Sequence, residues 1–385
     1  MTQRYFDHED LAMLKEVLDA NLPSAIDGPW TRRLQTEFAV ATDAKFAVAV
    51  NSGMSALHAC LAAAEASVGD EVICDPMVQF GAIACFYNNA VPVFADVQRD
   101  THNVDPKSIR SRITERTRAI LCTHLWGLPC DMDEIMAIAR EHNLFVIEDN
   151  AHALFARYKG RMTGNLGHMA EFSFQAAKQL ATGDGGMMTT NDERLHERLI
   201  AYSGVRGMAT FPELMWNYRM SELVAAVALV QLRRAKKYVE QGIAAAKIYT
   251  DAVADIPWLR PQHTPADRTN VYHLWAATFE GDRHGIDRED FGAALSAVKM
   301  KGSFGLGYIQ KPAYLHDVIR KPLAYKRGCP TRPPYYEGTM ARYEPGLCPV
   351  AEDLMPRLIL IATEGPPEHH RRNADLLRQA CQKLM

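Results

Sequence analysis

From about residue 45 to 235 the chain alternates short, continuously apolar runs with stretches of helical pattern. KFAVAV (45–50), EVICD (71–75), VPVFAD (91–96), RAILCTH (118–124) and LFVIED (144–149) read as strands. SALHACLAAAEA (55–66) and DEIMAIAREHN (133–143) lie between such runs and read as helices. Strands without a polar face belong to a sheet covered on both sides, so the alternation predicts an α/β fold with a mostly parallel central sheet flanked by helices. EFSFQ and GGMMTT are shorter strand candidates. After Ser221 the texture changes: Glu222 to Val253 is one long helical pattern, suited to joining a large N-terminal domain (1–235) to a smaller C-terminal α+β domain (236–385). Within the latter, NVYHLWAATF predicts a strand and REDFGAALSAV a helix. KPLAYKRGCPTRPPYYEG predicts irregular loop, and a last helix begins near Glu368, after Pro366 and Pro367.

A chain of 385 residues is long enough for two ordinary domains, and its composition, 48% hydrophobic and 23% charged, is that of a soluble globular protein. Lys and Arg total 43 against 46 Asp and Glu, with no basic run, which argues against a nucleic-acid partner. The eight cysteines form no C-x-x-C pair and read as buried free thiols of a reducing compartment. The charged N-terminus lacks the apolar core of a signal peptide, and no run approaches the roughly 18 apolar residues of a membrane span. The expectation is a cytoplasmic protein with no membrane partner.

Three features fall at the C-terminal ends of predicted strands, where open α/β sheets place ligands. Asn51-Ser52-Gly53-Met54-Ser55 puts a glycine turn at a helix N-terminus, whose outward N–H groups suit a phosphate. Taken alone, such a turn is more often only a helix cap. Glu148-Asp149 ends an apolar strand, and two acids there do not both sit buried without partners. One of them points into a site or caps a loop. In SFQAAKQLATGDGG (173–186), Lys178 stands among small residues. Desolvation there lowers an amine's pKa and makes it a nucleophile for a Schiff base, whereas most lone lysines snorkel at a surface. Their co-occurrence in this order favours one chemistry. Pyridoxal phosphate needs a phosphate cup, an acid for its pyridine nitrogen and a lysine for its aldehyde. GSFGLG (302–307) does not fit the dinucleotide-binding glycine fingerprint, which disfavours a Rossmann oxidoreductase. Glu368-His369-His370 reads as the polar first turn of the last helix, with no ligand set beside it, so no metal is expected.

These residues resemble a known family. The chain is similar to the fold-type I, pyridoxal-phosphate-dependent aminotransferases of the DegT/DnrJ/EryC1/StrS group, the sugar aminotransferases. The likeness covers nearly the whole chain and is strongest from Gly28 to Glu222. NSGMSALH resembles the family's S-S-G-T-x-A-L, VIEDNAHA its V-I-E-D-A-A-H-A, SFQAAKQLATGDGG its S-F-H-x-x-K-x-x-x-x-G-E-G-G, and WNYRMSELVAAVAL its N-Y-R-M-S-E-x-x-A-A. The resemblance implies that Lys178 carries the cofactor and shuttles a proton, and that Asp149 pairs with the pyridine nitrogen. It implies that His152 lies near the phenolic oxygen, and that Gly53, Met54 and Ser173 hold the phosphate, with Ser55 as a further candidate because Met54 stands where the family has threonine. Phe80 falls at the position of a ring-stacking aromatic. Asn217 would reach the phosphate of a partner subunit in a homodimer with shared sites. Arg219 is a candidate for the donor carboxylate or for an ion pair with Glu222, by their (i, i+3) spacing. His124, His273 and Tyr308 are candidate substrate residues, with packing roles open to the last two. Gln79, Asn150, Gln175, Asp184 and Trp216 are further departures from the family pattern.

The activity implied is transfer of an amino group from an amino acid, glutamate, to a keto group of a nucleotide-linked sugar through pyridoxal and pyridoxamine phosphate. A keto-cyclitol or a free sugar phosphate are alternative acceptors. A pyridoxamine-phosphate-dependent sugar dehydratase on the same fold is the alternative activity, but that branch typically carries histidine in place of the lysine. A non-catalytic cofactor-binding regulator lacks support from any helix-turn-helix or basic face.

Overall fold

The computed structural model describes residues 6–23, 28–204, 214–305, 311–322, 324, 325 and 328–385. Two helices come first, α1 (His8–Asp19) and α2 (Pro29–Ala41), followed by β1 (Phe46–Val50) and α3 (Gly53–Ala63). Then come β2 (Glu71–Cys74), α4 (Phe80–Tyr87), β3 (Val91–Phe94), α5 (Pro106–Arg112), β4 (Thr117–Thr123), α6 (Met132–His142) and β5 (Phe145–Asp149). Two short strands, β6 (Arg157–Tyr158) and β7 (Arg161–Met162), precede β8 (Met169–Ser173), β9 (Gly186–Thr190) and α7 (Glu193–Ser203).

The main sheet has seven strands in the order β1-β9-β8-β5-β4-β2-β3. The pairs from β3 through β2, β4 and β5 to β8 are parallel, and β9 runs antiparallel to both β8 and β1. The sequence reading of a mostly parallel sheet holds. Every residue of β2, β3 and β9 is buried, as expected for strands covered on both faces. Helix α3 is buried from Ser55 to Ala63. Its Ala and Cys side chains are small enough to let it lie between the sheet and neighbouring helices.

Helix α8 (Glu222–Ala252) is the long helix anticipated from the sequence. The Ser221 hydroxyl caps it by accepting the Val224 N–H at 3.3 Å. Glu222 is wholly buried and turns toward α2, where its carboxylate accepts the N–H of Trp30 (2.8 Å) and of Thr31 (3.4 Å) and the Thr31 hydroxyl. Those are the otherwise unpaired donors of the first turn of α2. A Cβ on Gly28 would stand 2.3 Å from the Glu222 carboxyl carbon, so only glycine fits beside this cap.

Beyond α8 a second sheet forms from β10 (Leu259–Pro261), β12 (Leu274–Phe279), β13 (Ser303–Phe304) and β14 (Leu358–Ala362), in the order β10-β12-β14-β13. A short strand between them, β11 (Arg268–Thr269), joins β6 and β7 in a three-stranded sheet. Helices α9 (Arg288–Ala297) and α12 (Pro367–Gln382) cover the second sheet, sharing a core with Tyr249, Trp258, Trp275 and Phe291.

One part of the expected domain division differs. Residues 313–322 and 328–354, including α10 (Asp317–Arg320) and α11 (Pro349–Leu354), pack on the first unit. The Tyr336 hydroxyl donates to Glu71 at 2.5 Å and Tyr343 to the Pro92 carbonyl at 2.8 Å. The Asp96 carboxylate accepts the N–H groups of Val350 and Ala351, both at 2.9 Å, and so closes the start of α11. The described part of the Pro- and Tyr-rich stretch is irregular, as read, but Tyr336 fastens it to β2 of the main sheet. All eight cysteines are buried with free thiols. No helix among the described residues is long and apolar enough to cross a membrane.

Candidate active site

The site is assembled at the C-terminal ends of β1, β5 and β8, with loops on either side. The sequence turns directly from β1 into α3. Ser52 is the N-cap, its hydroxyl accepting the Ser55 N–H at 3.1 Å, and Gly53 and Met54 begin the helix. Their N–H groups belong to the open first turn, beside the positive end of the helix dipole. A Cβ on Gly53 would fall 2.3 Å from Glu171 Oε1, 3.0 Å from Ser173 Cβ and 3.2 Å from Ser173 Oγ. A Cβ on Gly186 would fall 2.8 Å from the Ser52 carbonyl. Two glycines thus let the helix N-terminus and the end of β8 come together, with the Ser173 hydroxyl beside Gly53. Ser55 is placed differently: it is buried, donates to Asn51 Oδ1 at 2.6 Å and sits 2.9 Å from the Ser52 hydroxyl, so its oxygen serves the turn.

The two acids ending β5 take separate roles. Glu148 is fully buried and accepts the N–H groups of Gly164 (2.9 Å), Leu166 (2.8 Å) and Gly167 (2.7 Å), with His124 Nε2 at 3.0 Å. Burial alone would raise its pKa, but His124 and these backbone donors overcome it and hold the carboxyl below its ordinary value. His124 is 0% exposed, and its Nδ1 accepts the Cys130 N–H at 3.1 Å. The structure assigns it to the Glu148 anchor and not to a substrate wall.

Asp149 is 3% exposed, accepts the Ala151 N–H at 3.0 Å and lies 3.4 Å from the Thr123 hydroxyl. Asp75, at the end of β2, is a second buried acid nearby, its carboxyl pushed up to about 6 by burial, with the charge of Asp149 adding to the rise. A third is Glu171 on β8, directly opposite Asp149 in the parallel register.

Lys178 lies in a tight loop joining β8 to β9. The loop is closed by Phe174 N–H to the Gly185 carbonyl (2.9 Å), Ala176 N–H to Gly183 (3.0 Å) and Thr182 N–H to Phe174 (2.9 Å). The Gln175 side chain accepts the Ala177 N–H at 2.8 Å, so this departure from the family pattern shapes the loop. Lys178 is half-buried, and its positive charge is felt by both His152 and Glu171. The structure therefore brings Lys178, Asp149, His152, Ser173 and Gly53 to one locus.

His152 is sandwiched between Trp126, at 5.7 Å between ring centres, and His273, at 4.4 Å, both nearly parallel to it. Burial, then the charges of Lys178 and His273, drive its pKa well below 6.5, so its ring is neutral at physiological pH. Its Nδ1 has no hydrogen-bond partner among the described residues. Trp126 holds a left-handed backbone (φ +61°), as does Tyr272 (φ +48°) beside His273. Such conformations in bulky residues are costly and cluster at functional sites. His273 also lines a cleft between α8 and the second sheet, together with Gln179, Tyr238, Tyr272 and Thr363.

Phe80 is the first residue of α4 and is 51% exposed, unusual for a phenylalanine just beyond a buried strand. Asn217 is exposed, and its carbonyl accepts from the Asn51 side chain at 3.3 Å, on the shoulder of the glycine turn. Arg219 pairs its backbone with Val50 and donates to the Gly204 carbonyl at 3.0 Å. Among the described residues it makes no ion pair with Glu222, which is committed to α2. Tyr308 lies outside the described residues.

Sequence reasoning passed over Glu171. The signal was present: side chains alternate along a strand, so Glu171 shares a face with Ser173 two residues on.

A half-buried lysine near strand-end carboxylates and a glycine-lined helix N-terminus is an arrangement suited to a transaminase. The chain belongs to the DegT/DnrJ/EryC1/StrS aminotransferase family, whose model matches residues 4–341. It is 34% identical over 354 residues to the spore coat polysaccharide biosynthesis protein SpsC of Bacillus subtilis, covering 86% of this chain and 88% of that one. It is 40% identical over 230 residues to the GDP-perosamine synthase of Caulobacter vibrioides, covering 58% and 62% of the two chains. Among solved structures, DesV of S. venezuelae in complex with a ketimine intermediate superposes with a TM-score of 0.83 at 29% identity, covering 97% of this chain and 94% of that one.

Proposed function

We propose that this transaminase uses pyridoxal phosphate to move an amino group from glutamate to the keto group of a nucleotide-linked sugar. The observation that carries this reading is the convergence of Lys178, Asp149 and the Gly53–Ser173 contact at one locus. The GDP-linked product in the name of the Caulobacter relative supports the acceptor class.

The residues fit the cofactor. The N–H groups of Gly53 and Met54, in the open first turn of α3, and the Ser173 hydroxyl beside Gly53 would hold its phosphate. Asp149 would hold the proton on the pyridine nitrogen. When bound, pyridoxal phosphate supplies an electron sink that acidifies the proton on the amine-bearing carbon. Lys178 Nζ would hold the cofactor's aldehyde carbon and, when free, would take up the proton from the amine-bearing carbon of the substrate. Neutral His152, fixed by its two stacked neighbours, offers a polar edge without adding a positive charge. Phe80 would cover an exposed ring face. Arg219 would receive the donor's carboxylate, and Asn217 would reach the phosphate of a partner subunit, making the enzyme a homodimer. The eight buried thiols suit a reducing, cytoplasmic setting.

The test is a two-stage reaction. Protein loaded with pyridoxal phosphate and given glutamate should release 2-oxoglutarate and lose its visible absorption. Keto-sugar nucleotides, keto-sugar phosphates and keto-cyclitols are then offered in turn. Return of the absorption with a nucleotide-linked keto-sugar supports the proposal. Return only with a cyclitol or a free sugar phosphate overturns the acceptor, and dehydration in place of amination overturns the reaction.

A further inference from the structure

Glu171 stands in the main sheet at a place where an acid is costly. It is 1% exposed and lies opposite Asp149 in the parallel register of β5 and β8, and paired residues on neighbouring strands present their side chains to the same face. The two carboxyl groups are within hydrogen-bond reach. Gly53 closes over Glu171 so tightly that a Cβ there would meet Oε1 at 2.3 Å. Glu171 Oε2 finds no donor among the described residues, whereas Asp149 accepts the Ala151 N–H and lies by the Thr123 hydroxyl. Two adjacent buried carboxylates do not both ionise. The proton therefore belongs on the acid with fewer donors.

We propose that Glu171 is a protonated positioning residue, donating its carboxyl proton to the Asp149 carboxylate and thereby fixing the orientation and charge that Asp149 offers to the cofactor's pyridine nitrogen. The proposal rests on the pyridoxal phosphate reading above for its consequence, though not for the proton itself. Burial first, and then the neighbouring Asp149 charge, push the Glu171 carboxyl well above its ordinary value. The other groups that face the pair do not reverse this. Lys178 draws the Glu171 carboxyl partly back down. The Cys60 thiol, on α3, is itself held protonated by burial. Asp75 and Cys74, at the end of β2, both feel the charge of Asp149, and each is shifted toward its neutral form. Glu171 thus supplies the donor that steadies Asp149, and no other group facing the pair takes over that part.

The proton is read by infrared difference spectroscopy on the cofactor-free protein. A protonated-carboxyl band should persist at and above neutral pH in the wild type, survive in Lys178→Ala and in Asp75→Asn, and vanish in Glu171→Gln. A wild type without the band, a band untouched by Glu171→Gln, or one removed instead by Asp75→Asn overturns the proposal. Its consequence is read in the affinity of the cofactor-free protein for pyridoxal phosphate. Glu171→Gln keeps an N–H donor for Asp149 and should stay close to wild type, while Glu171→Leu should weaken binding about tenfold or more, the scale of one hydrogen bond to a charged group. Equal weakening in both variants means only packing was disturbed and overturns the positioning role. If the wild type fails to bind pyridoxal phosphate, the cofactor reading falls, and the infrared band still decides where the proton lies.

Discussion

At the scale of single residues, neighbouring acids in this chain are given opposite electrostatic lives. Glu148 and Asp149 are adjacent in sequence, yet strand alternation sends them to opposite faces. Glu148 becomes the hub of the loop that follows, holding three backbone N–H groups and His124. Because its folded pKa is depressed, its contribution to stability is complete above the ordinary glutamate range and is lost as pH falls through the folded value. Glu148→Gln should therefore destabilise the protein at neutral pH by about 3 kcal/mol, the cost of breaking a buried ionic cluster, and the loss should shrink at acid pH. Denaturant titrations of both proteins at two pH values measure it. The pair of acids was legible in the sequence as a strand end needing partners. The residue pattern alone left the two acids equivalent and the family resemblance singled out Asp149; the partners of Glu148, in the loop at 164–167 and in His124, are brought near only by the fold. Glu171 was masked by its setting in EFSFQ, a short strand pattern in which a single acid gives no sign of whether it is buried.

At the scale of elements, the strands and helices of the first unit were legible because each is a continuous apolar run bounded by turn residues, a pattern set by burial on both faces. The long helix announced itself from Ser221 onward and ends one residue short of the expected Val253. Residues 313–322 and 328–354 were not legible as part of the first unit. Their attachment depends on tyrosine hydroxyls and on the Asp96 carboxylate, single polar contacts across a long sequence separation that leave no periodic trace. The candidate site was legible as motifs from β1 to β9. The stack of Trp126, His152 and His273 was not, since it joins three segments far apart in the chain.

For the whole molecule, buried neutral histidines set a limit on the acid side. Burial pushes His58 to about 4 and His102 to about 3, and His152 is driven well below 6.5. In each case the unfolded chain binds a proton before the folded protein does. Stability should therefore fall as pH drops below about 6.5 and keep falling toward about 4, with the Glu148 loss adding at the acid end. Thermal melts across that range should show a steady decline in midpoint. A flat profile would mean that these rings are reached by solvent. The same folded frame sets Lys178 near His152 and Glu171, and the account of function depends on that lysine above any other residue. Borohydride reduction of the protein in the presence of pyridoxal phosphate, followed by peptide mass spectrometry, tests it most directly. The account predicts one pyridoxyl adduct per chain, on Lys178, absent from Lys178→Ala. An adduct on a different lysine, or none while the protein still transfers amino groups, would contradict it.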